Sequence, residues 1–321
     1  MPRSGTKLLR DILNNHSQIA ITPIESHFLP EMYSRLTEFG DLRNRNSFAR
    51  FYREFADSIF FRRLQEEGPF IDEESWYREV TDWTYPGVVE TFYKAYARKK
   101  NKVIWGDKTP YYLVILPLIH QLYPGVRVIH IIRDARDYAL SLKKGWYKNV
   151  FRATQRWTDA VRKCRTDGFR LPQGQYLEVR YEELVDEPEE TLRRVCTYLS
   201  VPFEPSMVTL KKPTDKGGDA KNRTDIVTRN YGKWAKAFTP AQIRKMESVC
   251  APILRDLGYP VAYEGELKRY GRLEMQWYKV LDGFGLLRHE TEQHGLMDGI
   301  RNTLRTRKYE QFRRAGEEEG G

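Results

Sequence analysis

The run Val126 to Ile132, VRVIHII, is followed at once by the charged segment Arg133-Asp134-Ala135-Arg136-Asp137. A near-continuous apolar stretch of strand length is the pattern of a strand buried on both faces, as in a parallel sheet. Parallel strands need crossover connections, usually helices. This one feature commits the chain to an α/β architecture. It also puts the charged segment at the carboxyl end of a central strand, where such sheets bind ligands.

The rest of the chain supplies the crossovers. Leu8, Leu9, Ile12 and Leu13 fall on one face of a helix over Lys7 to Asn14, and Ile19 to Ile21 reads as a short strand. Phe48, Phe51, Phe55 and Ile59, and then Val88, Val89, Phe92 and Tyr96, recur at helical spacing as core stripes. Val103-Ile104-Trp105 reads as a short buried strand entering the turn GDKTP. A helix is expected over Tyr111 to Leu122, stopped by Pro124-Gly125. Further helices are expected from Arg136, over Val150 to Asp167, over Glu189 to Leu199 after Pro188, and over Pro240 to Leu257. Tyr176 to Val179 is a strand, and Val201 to Gly232 a long functional loop. The domain is expected to span 1–263, with 264–321 a charged, aromatic extension of helices packed on it or projecting from it, frayed from Glu317.

Composition narrows the function. Lys and Arg total 54 against 44 Asp and Glu, and the excess of +10 lies before residue 264. A basic body implies an anionic partner. The cations are scattered and accompany no nucleic-acid-binding motif, so nucleic acid has little support, while a polyphosphorylated small molecule and a merely solvated basic surface both stay open. No apolar run reaches the ~20 residues of a membrane span. Cys164, Cys196 and Cys250 are distant and odd in number, which argues against disulfides and zinc. The opening MPRSGTKLLR has no apolar leader segment, and the expected compartment is the cytoplasm.

Two motifs carry the chemistry. Arg3-Ser4-Gly5-Thr6-Lys7 opens an amphipathic helix, and backbone N–H groups, a glycine, hydroxyls and two cations there make an oxyanion site. It lacks the Walker A glycine pattern. After the strong strand, Arg133 and Ser141, two helical turns apart, can reach one phosphate. The first motif has no strand before it, and the expectation is a first strand upstream of the recorded start.

PRSGT at Pro2–Thr6 and the RDxRDxxxS pattern at Arg133–Ser141 together resemble the sulfotransferases that use 3′-phosphoadenosine 5′-phosphosulfate (PAPS), in their bacterial and tyrosylprotein-sulfotransferase-like branch. GDKTP at Gly106–Pro110 resembles that family's lysine-bearing turn, and VRYEEL at Val179–Leu184 its adenosine-side tyrosine segment. RNYGKW at Arg229–Trp234, then FTP and a helix ending LGY at Leu257–Tyr259, resemble its nucleotide loop and closing helix. The resemblance covers Pro2 to Tyr259. Two departures are Lys7, where the family usually has Thr, and Gly232, near a serine of the tyrosylprotein enzymes.

The resemblance implies a P-loop-like three-layer sandwich with a central, mostly parallel sheet flanked by helices. It implies that Arg3, Ser4, Gly5, Thr6, Lys7 and Leu8 hold the phosphosulfate, and that Arg133 and Ser141 hold the 3′-phosphate. Tyr181, Arg229 and Lys233 would lie by the nucleotide, and Arg3 and Lys108 would meet charge developing during transfer. The base is Glu25 or His27; in an extended segment both point the same way. Adenosine 3′,5′-bisphosphate would be the product, with no metal needed. The acceptor would be a small molecule, saccharide or peptide, met by aromatic-rich segments over Phe28 to Trp83 and parts of Trp146 to Arg152 and Val201 to Asn230. Alternative readings are a non-catalytic bisphosphate-binding protein and, less favoured, a P-loop nucleotide kinase.

Overall fold

A computed structural model describes residues 1–66, 68, 70–213, 220 and 222–295. The apolar run folds as expected. β3 (Val128–Ile132) pairs in parallel with β4 (Tyr176–Arg180), in register from Val128 opposite Tyr176 to Ile132 opposite Arg180. β1 (Ile19–Ile21) pairs in parallel with β2 (Ile104–Gly106). Every ladder among the described residues is parallel, and the four strands form two separate pairs.

Helix α1 (Thr6–Leu13) joins the pairs. Its buried Leu9, Ile12 and Leu13 pack with Ile19 and Ile21 of β1, Ile131 of β3 and Val179 of β4. One amphipathic helix thus fixes the loop before it relative to all the strand ends.

On the β1–β2 side lies an aromatic core. Phe48, Phe51 and Phe55 of the helix Arg45–Asp57 are fully buried with Trp76 and Phe92. Phe55 alone meets Phe28, Phe60, Phe61, Trp76 and Phe92 with ring centroids 4.7–6.1 Å apart. The segment 28–83, expected to line an acceptor site with aromatics, instead spends most of them on this core. A cavity of about 400 Å³ does open beside it, among Tyr33, Leu36, Trp83, Tyr85 and Leu122.

Several boundaries depart from the sequence reading. Tyr111 to Leu122 is a 3₁₀ turn, Pro110–Val114, followed by a helix Leu116–Leu122. Pro117 lacks an N–H and disfavours helical geometry in the residue before it, so one continuous helix cannot pass. Ile59 leaves its stripe and is exposed, because Ser58 ends the helix in an extended conformation. Val103 is exposed, and its strand begins at Ile104. The long loop after Val201 carries a 3₁₀ turn Pro205–Val208 and an antiparallel bridge between Thr209 and Asp225. Residues 214–219 and 221 lie outside the description, as does the segment from Glu317.

The helix Arg272–His294 docks on the body. Tyr278 packs with Tyr270, Val249 and Phe151, and buried Asp282 accepts from Asn149 N–H at 2.6 Å and pairs with Arg152. All three cysteines are free and buried, and no helix among the described residues is long and apolar enough to cross a membrane.

Phe55→Ala should therefore lower the unfolding free energy by about 3–5 kcal/mol in urea titration. A loss below about 1 kcal/mol would show that the aromatic core can collapse around the void.

Candidate functional site

Each strand's carboxyl end delivers one of the anticipated side chains. Glu25 follows β1, Lys108 follows β2, Arg133 follows β3 and Tyr181 follows β4. The loop before α1 lies among them, and its backbone is unusual. Arg3 and Gly5 both have left-handed φ, 66° and 85°. Gly5 is also sterically required: a Cβ there would lie 2.4 Å from Tyr181 Cδ2. Thr6, Lys7 and Leu8 form the first turn of α1, where helix N–H groups are free of helical partners.

The two sequence motifs touch. Arg3 Nε donates to Ser141 Oγ at 3.0 Å, and Arg133 Nη1 donates to the Arg3 carbonyl at 3.3 Å. The Arg133 guanidinium lies 4.5 Å from the centre of the Tyr181 ring, and its Nη2 donates to the Asn230 carbonyl at 3.1 Å. Asn230 Nδ2 donates to Tyr181 Oη at 3.1 Å and accepts from Lys233 Nζ at 2.5 Å on its Oδ1. Arg3, Arg133, Ser141, Tyr181 and Lys233 thus converge on one mouth. The Arg229 backbone N–H donates to Asp186 Oδ1 at 2.9 Å.

Two buried polar atoms in this mouth, Ser4 Oγ and Arg133 Nε, have no hydrogen-bond partner among the described residues. Buried polar groups are nearly always paired, so such orphans point to an absent ligand. Neither Arg3 nor Arg133 makes an ion pair among the described residues. The donors left over suit a phosphate or sulfate oxygen.

A second cluster sits beside the first. Lys108 Nζ lies 2.5 Å from Glu25 Oε1, and His27 Nε2 lies 3.4 Å from Glu25 Oε2. Both candidate bases therefore face one place. Burial pushes the Glu25 carboxyl up, but hydrogen bonds from His27 and Lys108 and their charges outweigh it and hold it at about 2.

Sequence reasoning overlooked what holds this cluster. Asp107 is a partly buried hub: Tyr93 Oη donates to its Oδ2 at 2.7 Å, Tyr112 Oη lies 3.0 Å from the same oxygen, and Thr109 Oγ1 donates to Oδ1 at 2.8 Å. Ser26 Oγ also donates to Asp107, and Ser26 N–H donates to Thr109 Oγ1 at 2.9 Å. Burial raises the Asp107 pKa, opposed by these hydrogen bonds. The hub clamps the Glu25–His27 segment onto the Lys108 turn. Asp137 does the same for the loop around Gly232 and Trp234, accepting from Gly232 N–H and, at 3.1 Å, from Trp234 N–H. Gly232 has φ 72°, a conformation that disfavours the serine of the tyrosylprotein enzymes.

A model described as "Sulfotransferase family" matches residues 1–205. The chain belongs to the sulfotransferase family. It is 30% identical over 171 residues, 48% of its length, to a putative protein-tyrosine sulfotransferase of Caenorhabditis elegans, and the match spans 64% of that relative, less than two thirds. It is 25% identical over 334 residues to the nodulation protein NoeE of Sinorhizobium fredii (strain NBRC 101917 / NGR234), covering 89% of this chain and 73% of that one. Its fold is shared with the sulfotransferase domain from the curacin biosynthetic pathway, with TM-score 0.55 and 21% identity over 81% of this chain and 95% of that one. The α/β, P-loop-like fold is that of sulfotransferase domains. Among the described residues no group of His, Cys, Asp or Glu is placed to hold a metal ion.

Two outcomes follow. Asp107→Ala strands several buried donors and should cost about 2–4 kcal/mol in urea unfolding; a loss under about 0.5 kcal/mol would remove the hub's structural role. Glu25 is held below its ordinary value of 4.5, so its stabilisation is complete above that value and is lost as the pH falls toward about 2. Glu25→Gln should flatten that part of the acid-unfolding curve, whereas an unchanged slope would place the charge contact elsewhere.

Proposed function

We propose that this sulfotransferase uses PAPS as donor and moves its sulfuryl group in line to a hydroxyl of the acceptor. The observation that carries the reading is the convergence of Arg3, Arg133 and Ser141 around two orphaned buried donors, Ser4 Oγ and Arg133 Nε. Ser4, Gly5, Thr6, Lys7 and Leu8 would hold the 5′-phosphosulfate at the N-terminus of α1. Arg133 and Ser141 would hold the 3′-phosphate, and Tyr181 and Lys233 would flank the nucleotide. The reading keeps 1–263 as the catalytic domain and 264–321 as an extension.

Positioning and charge stabilisation carry such a transfer. Glu25 takes the proton that the acceptor oxygen loses as it bonds to sulfur. Lys108 donates to the phosphate oxygen that keeps the electron pair of the breaking S–O bond, and Arg3 offsets charge on the sulfuryl oxygens. At rest, Lys108 is paired with Glu25, which makes the carboxylate a poor base. Drawing Lys108 onto the bridging oxygen releases Glu25, raises its pKa and couples base strength to donor occupancy. His27, in contact with the same carboxylate, is the second candidate base.

The acceptor follows from relatives only as a class: a peptide tyrosine, a saccharide or a small-molecule hydroxyl. The cavity beside Tyr33, on the helix that begins after His27, is a candidate place for it. Three free, buried cysteines accord with a reducing cytoplasm.

Calorimetric titration with adenosine 3′,5′-bisphosphate and with ATP tests the donor site. The bisphosphate should bind far more tightly, and Arg133→Ala should abolish the difference; a preference for ATP overturns the reading. Glu25→Gln and Lys108→Ala should each lower turnover by about 10²–10⁴ while bisphosphate affinity falls only modestly. Near-full turnover in Glu25→Gln with loss in His27→Ala would move the base to His27. Tight bisphosphate binding without transfer to any hydroxyl acceptor would favour a non-catalytic binding protein.

A further inference from the structure

The helix Arg272–His294 has two apolar faces, and only one is docked. Met275, Tyr278 and Asp282 point to the body, and Gly285 packs so closely that a Cβ would lie 2.2 Å from the Tyr147 carbonyl oxygen. On the opposite face Leu273, Trp277, Val280 and Phe284 follow one another at i, i+4, i+7 and i+11, a single helical stripe. Leu273 is 88%, Trp277 59% and Phe284 65% exposed, with Leu281 beside them. Isolated exposed apolar residues are ordinary; a contiguous row containing two large aromatics marks an interaction surface.

Charge says what the row meets. Arg272, Gln276 and Lys279 form the neighbouring row, one residue back along the helix, and Lys268 precedes it; all four are exposed. Lys268, Arg272 and Lys279 make no ion pair among the described residues. Three of the helix's acids are spent elsewhere. Glu274 pairs with Lys245, Asp282 is buried against Arg152, and Glu292 pairs with Arg288. Arg269 pairs with Asp159, and the exposed Glu264 and Glu266 lie before the stripe begins. The stripe therefore has a rim of uncompensated cations.

We propose that this ridge seats the protein on an anionic membrane surface, with Leu273, Trp277, Val280 and Phe284 entering the headgroup boundary and Lys268, Arg272 and Lys279 meeting lipid phosphates and carboxylates. Basic amphipathic helices with aromatic apolar faces lie in such interfaces. The cytoplasmic leaflet supplies the matching negative potential. A second copy packed ridge to ridge would set Arg272 and Lys279 against like charges with no acid to meet them. The ridge is one row about 17 Å long, small against the ~800 Å² per partner of a stable protein interface. A bilayer accepts such a convex row without a complementary groove.

Flotation of the full chain tests this, using phosphatidylcholine vesicles with and without about one third phosphatidylserine. Binding is expected to the anionic vesicles and to weaken as salt rises. The doubly substituted Trp277→Ser, Phe284→Ser protein and the Arg272→Glu, Lys279→Glu protein should each bind at least about tenfold less, with near-ultraviolet circular dichroism showing the fold retained. The proposal is overturned by equal binding to both vesicle types, by no binding, or by variants that bind as the parent does. It is equally overturned by a dimer in sedimentation velocity that Trp277→Ser dissociates, which would assign the ridge to a second copy.

Discussion

The mouth formed by Arg3, Arg133 and Ser141 rests on Arg136, a guanidinium with no exposure to water. Its Nη2 pairs with Asp134 at 2.6 Å, its Nη1 with Glu247 at 2.6 Å, and Nη1 also donates to the Pro260 carbonyl at 2.9 Å. Trp234 covers its face, with the ring centre 3.7 Å away. A buried cation is tolerable only when this fully paired; removing one partner typically costs about 3–5 kcal/mol. Asp134 also caps the helix Ala135–Trp146 by accepting from Arg136 N–H. The same carboxylate therefore sets the start of the helix that carries Ser141, one residue after Arg133 leaves the strand. Arg133 and Ser141 stand in register because the Arg136 cation between them is locked.

The same division of labour recurs in the motif itself. In Arg133-Asp134-Ala135-Arg136-Asp137 only Arg133 faces the mouth. Asp134 and Arg136 make the internal pair, and Asp137 turns outward to hold the loop around Gly232 and Trp234. Glu182, next to Tyr181, is likewise structural: it accepts from Asp134 N–H at 3.1 Å and from Tyr259 Oη at 2.6 Å. The closing Leu257–Tyr259 segment is thereby fastened to the end of β4.

This explains what could be read in advance. Strand and helix positions were legible where periodicity was strong, as in Val128–Ile132 and Arg45–Asp57, because burial alone sets those patterns. Arg133, Ser141 and Lys108 stood in local motifs after strands, Arg3 in a motif that opens a helix, and Glu25 and His27 in the short segment between a strand and the helix that begins after His27. Asp107 could not be assigned that way. Its partner Tyr93 lies 14 residues earlier in a helix whose spacing marks it simply as core, and only the folded chain brings its hydroxyl to the carboxylate. Asn230 was hidden for a similar reason, since its role depends on Arg133, Tyr181 and Lys233 arriving from three separate segments.

The resting contact between Lys108 and Glu25 has a further consequence for how the site is held. Two opposite charges would be expensive to leave unpaired in a partly desolvated cleft. Pairing Lys108 with Glu25 removes that cost. The Asp107 hub keeps the pair from drifting, because it binds the backbone N–H and the hydroxyl of Ser26, between Glu25 and His27, to the Lys108 turn. In the proposed transfer, a negatively charged donor that draws Lys108 away would leave Glu25 basic when a proton must be taken, so one contact both holds these segments together and ties the proposed chemistry to the donor.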